Sequence, residues 1–173
     1  VVAATRGPGS FTGLRVGLAF AQGLAAATGA KGLGLSSLEA LAVQAVLADP
    51  DSASPVAAIM DARRGQVYLA LWAGTEGGLP GTLIQPPTAL GLADAEALLA
   101  PRRPRAIGSG AALVEGGVAE VDVVDGPNPA ALVRLATALA DASSATGLEP
   151  LYLRPPDATP PTRLPGQPRP DRA

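Results

Sequence analysis

The chain has 173 residues, a length typical of a single domain, and its 13 Lys and Arg against 15 Asp and Glu give a formal net charge of −2. So small a charge excludes a general positive field that would hold nucleic acid. The sequence contains no cysteine and no histidine, which excludes disulfides, thiolate nucleophiles and Ser-His-Asp or Cys-His catalysis. The apolar runs are shorter than the ~18 to 20 residues of a membrane span, so we expect a cytoplasmic protein.

The chain begins with a strand and a long helix. VVAAT, at residues 1–5, is a short apolar run typical of a strand inside a sheet. Residues 11–28 are predicted to form a helix, and Gly29 marks its end. Because the chain starts on this strand and without methionine, we expect the amino-terminal part of the fold to be missing.

The loop before this helix reads GPGSFTG and offers two interpretations. In the first, Ser10 or Thr12 caps the helix by accepting a hydrogen bond from one of its first amides. In the second, these hydroxyls and the amides of the first turn hold an anion. Capping is favoured because the loop lacks the Gly-Lys-Ser/Thr ending of a phosphate-binding P-loop.

Three glycines lie inside the first helix. Gly13, Gly17 and Gly23 each cost about 1 kcal/mol relative to alanine in a helix interior. Glycines on one face allow a second helix to approach closely and gain dispersion contacts, which offsets this cost. Most of the circumference is apolar or small: residues 13, 17, 20 and 24 share one face, and residues 14, 18, 21 and 25 share its neighbour.

A second helix is predicted at residues 37–48. Ser36 and Glu39 have the spacing of a capping box, and an apolar stripe at helical period follows them. This helix is one candidate to cover the glycines of the first helix, and the glycine spacing alone favours it. A helix pair from another subunit is the second candidate.

A hairpin is predicted next, with strands at residues 56–61 and 66–72 and Gly65 in its turn. Asp61, Arg63 and Arg64 form the charged cluster of most interest in the sequence, at this turn. The two arginines either clamp a phosphate or a partner carboxylate, or they lie in a solvated turn where Asp61 pairs locally. The sequence leaves these alternatives open.

The remaining elements make the chain an α/β layered domain. We predict, in order, a surface loop at 74–81, a helix from Leu92, a strand from Arg105, a strand at 121–124, a helix starting at Pro129 and a last regular element at 150–154.

Four segments together resemble a known family. They are GPGSFTGLRVGLAFAQGLA from Gly7, the Ser-Ser-Leu start of the second helix, MDARRGQVYLALW from Met60 and PLYLRPPDA from Pro150. In this order they resemble the TsaB family, the dimerisation subunit of the bacterial tRNA threonylcarbamoyladenosine machinery. The resemblance covers the whole chain, and LPG at 164–166 resembles the family's carboxy-terminal end.

The resemblance implies a glycoprotease-like α/β fold of the actin/Hsp70/sugar-kinase type, with a ribonuclease-H-like sheet. We expect residues 1–49 to be the remainder of a first ribonuclease-H-like subdomain with two interface helices. Residues 50–154 would form a second α/β subdomain, and the proline-rich residues 155–173 a disordered tail. Family members carry further strands before GPGSFTG, which this sequence lacks.

The resemblance also implies a non-catalytic subunit with no catalytic residue and no metal or cofactor of its own. It implies pairing with the catalytic paralogue TsaD, which would hold ATP and metal, an association with the ATPase TsaE, and a homodimer when TsaD is absent. Contact with tRNA would be indirect, and no membrane contact is implied. The alternative is a small-molecule kinase or ATPase of the same superfamily, with GPGSFTG in its nucleotide site.

The resemblance implies that the first two helices pack against the same two helices of a partner. The expected interface residues are Phe11, Gly13, Leu14, Gly17, Leu18, Phe20, Ala21, Leu24, Leu41 and Ala45. Residues expected to contact an anion or a partner are Ser10, Thr12, Asp61, Arg63 and Arg64.

Overall fold

The computed structural model describes residues 1–140 and 147–154. Its elements alternate between strands and helices, as the sequence predicts for an α/β chain. In chain order they are β1 (Val2–Gly7), α1 (Phe11–Thr28), β2 (Gly32–Ser36), α2 (Ser37–Ala48), β3 (Val56–Arg63), β4 (Gln66–Glu76), β5 (Leu79–Gly91), α3 (Leu92–Leu99), β6 (Arg105–Ile107), a 3₁₀-helix (Ala111–Gly117), β7 (Glu120–Asp122) and α4 (Pro129–Ala140).

The described strands form two sheets. β1 and β2 pair in parallel, with α1 as the connection between them. The larger sheet has the order β5-β4-β3-β6-β7, antiparallel among its first three strands and parallel from β3 to β7. Parallel neighbours need a helical crossover, whereas antiparallel neighbours are joined by tight turns, and both kinds of connection occur here.

The β3–β4 hairpin confirms the prediction around Gly65. Arg63 pairs with Gln66, so the loop consists of Arg64 and Gly65, and both have positive φ (56° and 70°). Positive φ at both central residues is the type I′ geometry, whose twist matches that of the flanking strands. Gly65 adopts this conformation without a Cβ penalty, while Arg64 carries the strain of a non-glycine residue.

A second hairpin replaces the surface loop that was predicted at residues 74–81. β4 continues to Glu76, β5 starts at Leu79, and Gly77 and Gly78 form the turn with φ of 59° and 72°. The prediction was wrong because glycine and proline do not always interrupt a strand. Here two glycines serve a two-residue turn, and Pro80 lies in β5, at the edge of the sheet, where a missing amide is tolerated.

The core lies on both faces of the larger sheet. Val67, Leu69 and Leu71 of β4 pack on one face, together with α3 and the 3₁₀-helix. Ala70 and Trp72 pack on the other face, against α2. This alternation follows from the two-residue period of a strand.

Helix α2 lies inside the molecule. Ser36 caps it by accepting a hydrogen bond from the Glu39 amide, as predicted. Leu41 and Val46 face the larger sheet, while Ala40 and Val43 pack with α4. A helix that is apolar all round must be covered on several sides, and α2 is covered by β3, β5 and α4.

Several other predictions are settled by the described residues. The helices at Leu92 and Pro129 and the strand at Arg105 are confirmed, and the strand predicted at 121–124 lies slightly earlier, at Glu120–Asp122. Residues 150–154 are irregular, so the last predicted element was wrong. The tail predicted at 155–173 lies outside the described residues, and the division near residue 50 stays a prediction. No helix in the described part of the chain has the length and apolarity to cross a membrane.

Candidate functional site

Helix α1 contacts the rest of the chain along one stripe. Leu18 and Ala21 are buried, and Leu14 and Ala25 beside them are half-buried, which is the i, i+4, i+7, i+11 spacing of one helix face. Leu18 and Ala21 pack with Leu148, next to β1. Outside this stripe the residues of α1 are exposed, so the helix rests on the small sheet by a narrow contact.

Both ends of α1 follow from local capping chemistry. The amide of Gly13 donates a hydrogen bond of 3.4 Å to Ser10 Oγ, which confirms Ser10 as the helix cap. At the other end, Gly29 adopts a left-handed conformation with φ of 66°, as predicted for the stop signal. The two ends of residues 11–28 are therefore defined by residues next to them in the sequence.

The outer surface of α1 carries exposed apolar side chains. Val16 and Phe20 are 66% and 73% exposed, and Leu24 is 42% exposed. Among the described residues, no heavy atom beyond the helix lies within 4 Å of the Cβ position at Gly17 or Gly23. The glycine spacing favoured packing of α2 against the glycines of α1, and this prediction is wrong. Helix α1 rests on β1, whereas α2 rests on the larger sheet and α4.

A groove of about 330 Å³ runs beside Gly13 and Gly17 of α1. Gly13 and Gly17 form part of one wall, because the missing side chains leave the backbone of α1 open there. Ser37, at the start of α2, and Leu132, on α4, line the groove as well, together with residues 125–127. We call the outer surface formed by Gly13, Val16, Gly17, Phe20 and Leu24 the glycine face.

The predicted anion-contact residues are only partly brought together. Ser10, Asp61 and Arg63 line one cavity of about 390 Å³ beside Gly9. Thr12 and Arg64 do not line this cavity. Ser10 Oγ is engaged as a cap, so the cavity presents a carboxylate and a guanidinium that already contact each other.

The charged cluster at the hairpin is a local pair. Arg63 Nη1 lies 3.1 Å from Asp61 Oδ2, and the Arg63 amide donates to Asp61 Oδ1 at 2.7 Å. The Arg63 side chain is 85% exposed, so the ion pair stabilises the fold little. The structure thus matches local pairing by Asp61, one of the two alternatives that the sequence left open. A contact of this turn with a partner stays a prediction.

Sequence reasoning missed the segment 147–154, which contacts α1 along much of its length. Arg15 Nε donates to the Tyr152 hydroxyl at 3.0 Å, and Gln22 Nε2 donates to the Leu148 carbonyl at 2.9 Å. These contacts join residues more than a hundred positions apart, and no spacing rule in a single sequence connects them. Only the apolar run at 150–154 hinted that the segment packs against the fold.

A family model described as TsaD, tRNA N6-adenosine threonylcarbamoyltransferase, matches residues 1–79. The tRNA threonylcarbamoyladenosine biosynthesis protein TsaB of Escherichia coli (strain K12) is 43% identical over 74 residues, 43% of this chain and 31% of that protein. TsaB of Haemophilus influenzae (strain ATCC 51907 / DSM 11121 / KW20 / Rd) is 45% identical over 65 residues, 38% of this chain and 27% of that protein. The matched segments thus span less than a third of each curated relative.

Comparison with solved structures covers far more of the chain. A Pseudomonas aeruginosa protein described as uncharacterized with similarity to peptidase YEAZ aligns with a TM-score of 0.74 and 29% identity, over 89% of this chain and 74% of that one. YeaZ from Pseudomonas aeruginosa aligns with a TM-score of 0.73 and 28% identity, over 88% and 74%. The chain resembles the TsaB family in sequence and in fold. The predicted α/β fold of the actin/Hsp70/sugar-kinase type is confirmed by these neighbours.

The structure corrects four of the ten interface residues expected from the resemblance to the TsaB family. Leu18 and Ala21 are buried against the chain's own small sheet, and Leu41 and Ala45 are buried against the larger one. These side chains are covered within the chain, so they do not form a surface for a partner. The expectation now rests on the other six: Phe11, Gly13, Leu14, Gly17, Phe20 and Leu24.

Burial raises the pKa of the Glu39 carboxyl above its ordinary value, because desolvation disfavours the charged form. Within residues 1–140 and 147–154, no three Asp or Glu side chains gather where they could hold a metal ion.

Proposed function

We propose that this chain takes part in tRNA threonylcarbamoyladenosine biosynthesis as a non-catalytic scaffold subunit that pairs with the catalytic TsaD subunit through α1. The observation that carries the proposal is the glycine face, which is apolar, exposed and unfilled by any described part of the chain. A fully buried Phe, Val or Leu side chain contributes about 1.5 to 3 kcal/mol. Covering Val16, Phe20 and Leu24 would therefore supply a substantial share of a binding free energy.

The proposed partner is a TsaD protein because of where the family similarity lies. The TsaD family model matches residues 1–79, which contain β1, α1, β2 and α2. A TsaD protein therefore carries a counterpart of α1, and two related helices meeting face to face give a nearly self-complementary interface. Gly13 and Gly17 allow the two backbones to approach closely, which offsets the cost of glycine in each helix.

The role of α2 in this proposal is smaller than the family resemblance implies. Eight of its twelve residues are buried within the chain, and Leu47 near its end is its exposed large apolar residue. Helix α2 therefore supports the groove from inside, with Ser37 in the groove wall. The partner contact is proposed for α1 and the groove beside it.

The mechanism proposed for this subunit is positional. The sequence has no histidine or cysteine, which rules out Ser-His-Asp and Cys-His catalysis. In this proposal the chain contributes interface free energy and holds the partner in its active arrangement. ATP and metal are proposed to bind the catalytic partner, TsaE to join the assembly, and tRNA to be contacted indirectly. In the absence of TsaD the same face would pair two copies of this chain. The protein is proposed to act in the cytoplasm.

The proposal is tested by capture of the TsaD subunit from the same organism. Gly17→Leu places a large side chain in open space, so the isolated chain should still fold while the close helix approach is blocked. Ala26→Leu is the matched control because it adds a leucine on an exposed part of the same helix, away from the glycine face. Circular dichroism of both variants checks that α1 is intact.

Wild type and Ala26→Leu should capture TsaD equally, and Gly17→Leu should capture it at least about tenfold more weakly, a change of about 1.4 kcal/mol. Equal capture by all three folded proteins would contradict the proposed face. Failure of the wild type to capture TsaD would contradict the proposed family role. ATP-dependent transfer to tRNA by the isolated chain would contradict the non-catalytic assignment.

A further inference from the structure

Helix α1 has eighteen residues but packs on the rest of the chain through few buried side chains. We call this contact, formed by Leu18, Ala21 and Leu148, the seat of α1. Only Leu18 and Ala21 of α1 are buried, and the core cluster that contains them has a single further buried member, Leu148. A helix in a globular protein owes most of its stability to the packing of its apolar face. Leu148, the one buried member of this cluster that is not part of α1, thus comes from outside the β1–α1–β2 unit.

Residues 147–154, which we call the strap, reach α1 at two separate places. Near the start of α1, the Tyr152 ring lies 5.9 Å from the Phe11 ring, and the Tyr152 hydroxyl accepts a hydrogen bond from Arg15 Nε. The Arg15 guanidinium also lies over the Phe11 ring at 3.8 Å, so its position is fixed from both sides. Two turns further on, Gln22 Nε2 donates to the Leu148 carbonyl.

The small sheet is shaped to receive the strap. A Cβ at Gly34 would lie 2.2 Å from the Gly147 carbonyl oxygen, and a Cβ at Gly32 would lie 2.7 Å from Leu148 Cδ1. Both distances are shorter than real Cβ contacts. The contact at Gly34 is with backbone, so this position of β2 requires glycine for the strap to pass, whereas a Cβ at Gly32 would push the Leu148 side chain aside. The Leu151 amide then donates a 2.7 Å hydrogen bond to the Arg6 carbonyl of β1.

The strap is also tied to the larger sheet at its far end. The Arg154 guanidinium hydrogen-bonds to Gln66 Oε1 and lies 5.9 Å from the Tyr68 ring, both on β4. β4 belongs to the core around Trp72, which does not include α1. The strap therefore connects the seat of α1 to the more extensively packed part of the chain.

We propose that the strap positions α1, so that Leu148 and Tyr152 are positioning residues for the docking helix. The strap holds both ends of the helix stripe on β1 and β2 while leaving the glycine face open. Calling α1 a docking helix rests on the proposed function, but the positioning itself is a property of the isolated chain. The two therefore have separate readouts.

The test is hydrogen–deuterium exchange of the full chain with Leu148→Ala. Loss of the Leu148 side chain removes one of three buried members of the seat, so amides of residues 11–28 should exchange on the order of tenfold faster. Amides of α2 and β3 should be unchanged, as should the fluorescence of Trp72, the single tryptophan of the chain. Leu113→Ala, at a leucine that is 43% exposed in the 3₁₀-helix, is the matched control.

Two conservative variants separate positioning from general stability. Leu148→Met nearly preserves volume and should restore slow exchange in α1. Tyr152→Phe keeps the ring beside Phe11 but removes the hydroxyl that holds Arg15, so exchange should rise in the first turns of α1 only. Tyr68→Phe is its control, because Tyr68 lies on β4, away from α1, and the substitution keeps the ring that Arg154 approaches.

Faster exchange confined to α1 supports the inference. Unchanged exchange in α1, or an equal rise in α1, α2 and β3, overturns it, since the strap would then hold nothing or would hold the whole fold. Capture of TsaD is measured on the same variants. If Leu148→Ala loosens α1 while the wild type captures no TsaD, the strap inference stands and the proposed function fails.

Discussion

Helices α1 and α2 have similar amino-acid compositions and very different surroundings. Eight of the twelve residues of α2 are buried, against two of the eighteen of α1. Both are apolar around most of their circumference, and a helix of that kind needs cover on several sides. For α2 the cover comes from the chain's own sheet and from α4, whereas α1 is covered along one stripe only. Helix α1 therefore has an exposed apolar face available to another molecule, whereas α2 does not.

The largest effect that tests this contrast comes from truncating one leucine in each helix. Leu41→Ala removes a fully buried side chain of α2 and should lower the free energy of unfolding by about 2 to 5 kcal/mol. Leu24→Ala removes a side chain of α1 that is 42% exposed and should cost less than about 1 kcal/mol. Denaturant unfolding followed by Trp72 fluorescence measures both. Equal losses would mean that α1 is packed as tightly as α2.

A smaller effect separates the glycines by their surroundings. Gly23→Ala should raise the stability of the isolated chain by up to about 1 kcal/mol, because a Cβ there meets open space and alanine favours the helix. Gly34→Ala should destabilise the chain, because its Cβ would clash with the Gly147 carbonyl oxygen. Thermal unfolding of the two variants checks the signs. If Gly23→Ala were less stable than the wild type, the space beside Gly23 would be filled in solution.

The smallest effect concerns Glu39, in the first turn of α2. Burial raises the pKa of Glu39, so the folded chain binds the proton more tightly than the unfolded chain. The stabilisation is complete below the carboxyl's ordinary pKa and is lost as the pH rises through the raised pKa. Glu39→Gln should therefore gain slightly in stability over the wild type as the pH rises above the carboxyl's ordinary pKa, since glutamine does not titrate. Parallel pH profiles of denaturation for the two proteins would contradict this.

Local sequence signals predicted most of the elements. The helix bounds at Phe11–Thr28 and Ser37–Ala48, the caps at Ser10 and Ser36 and the hairpin around Gly65 all follow from chemistry within a few residues. Such signals depend on side chains and turns that are neighbours in sequence, which is why they are readable without the fold.

The arrangement of the elements was harder to predict. Glycine spacing favoured packing of α2 on α1, but which helix covers which face depends on the two sheets. The strap contacts, such as Arg15 with Tyr152, join distant residues with no periodic pattern. The candidate surface was predicted as ten residues, and burial removed Leu18, Ala21, Leu41 and Ala45, because helical periodicity identifies a face without saying what covers it.

The most direct measurement is the affinity of the TsaD subunit for Phe20→Asp and Val133→Asp, by isothermal titration calorimetry. Both substitutions replace an exposed apolar residue of a helix, 73% and 66% exposed, so both chains should stay folded. Val133→Asp should bind TsaD like the wild type. Phe20→Asp should lose at least about 2 kcal/mol of binding free energy, because a charge would be buried at the interface. Equal affinity of the two folded variants would contradict docking through α1.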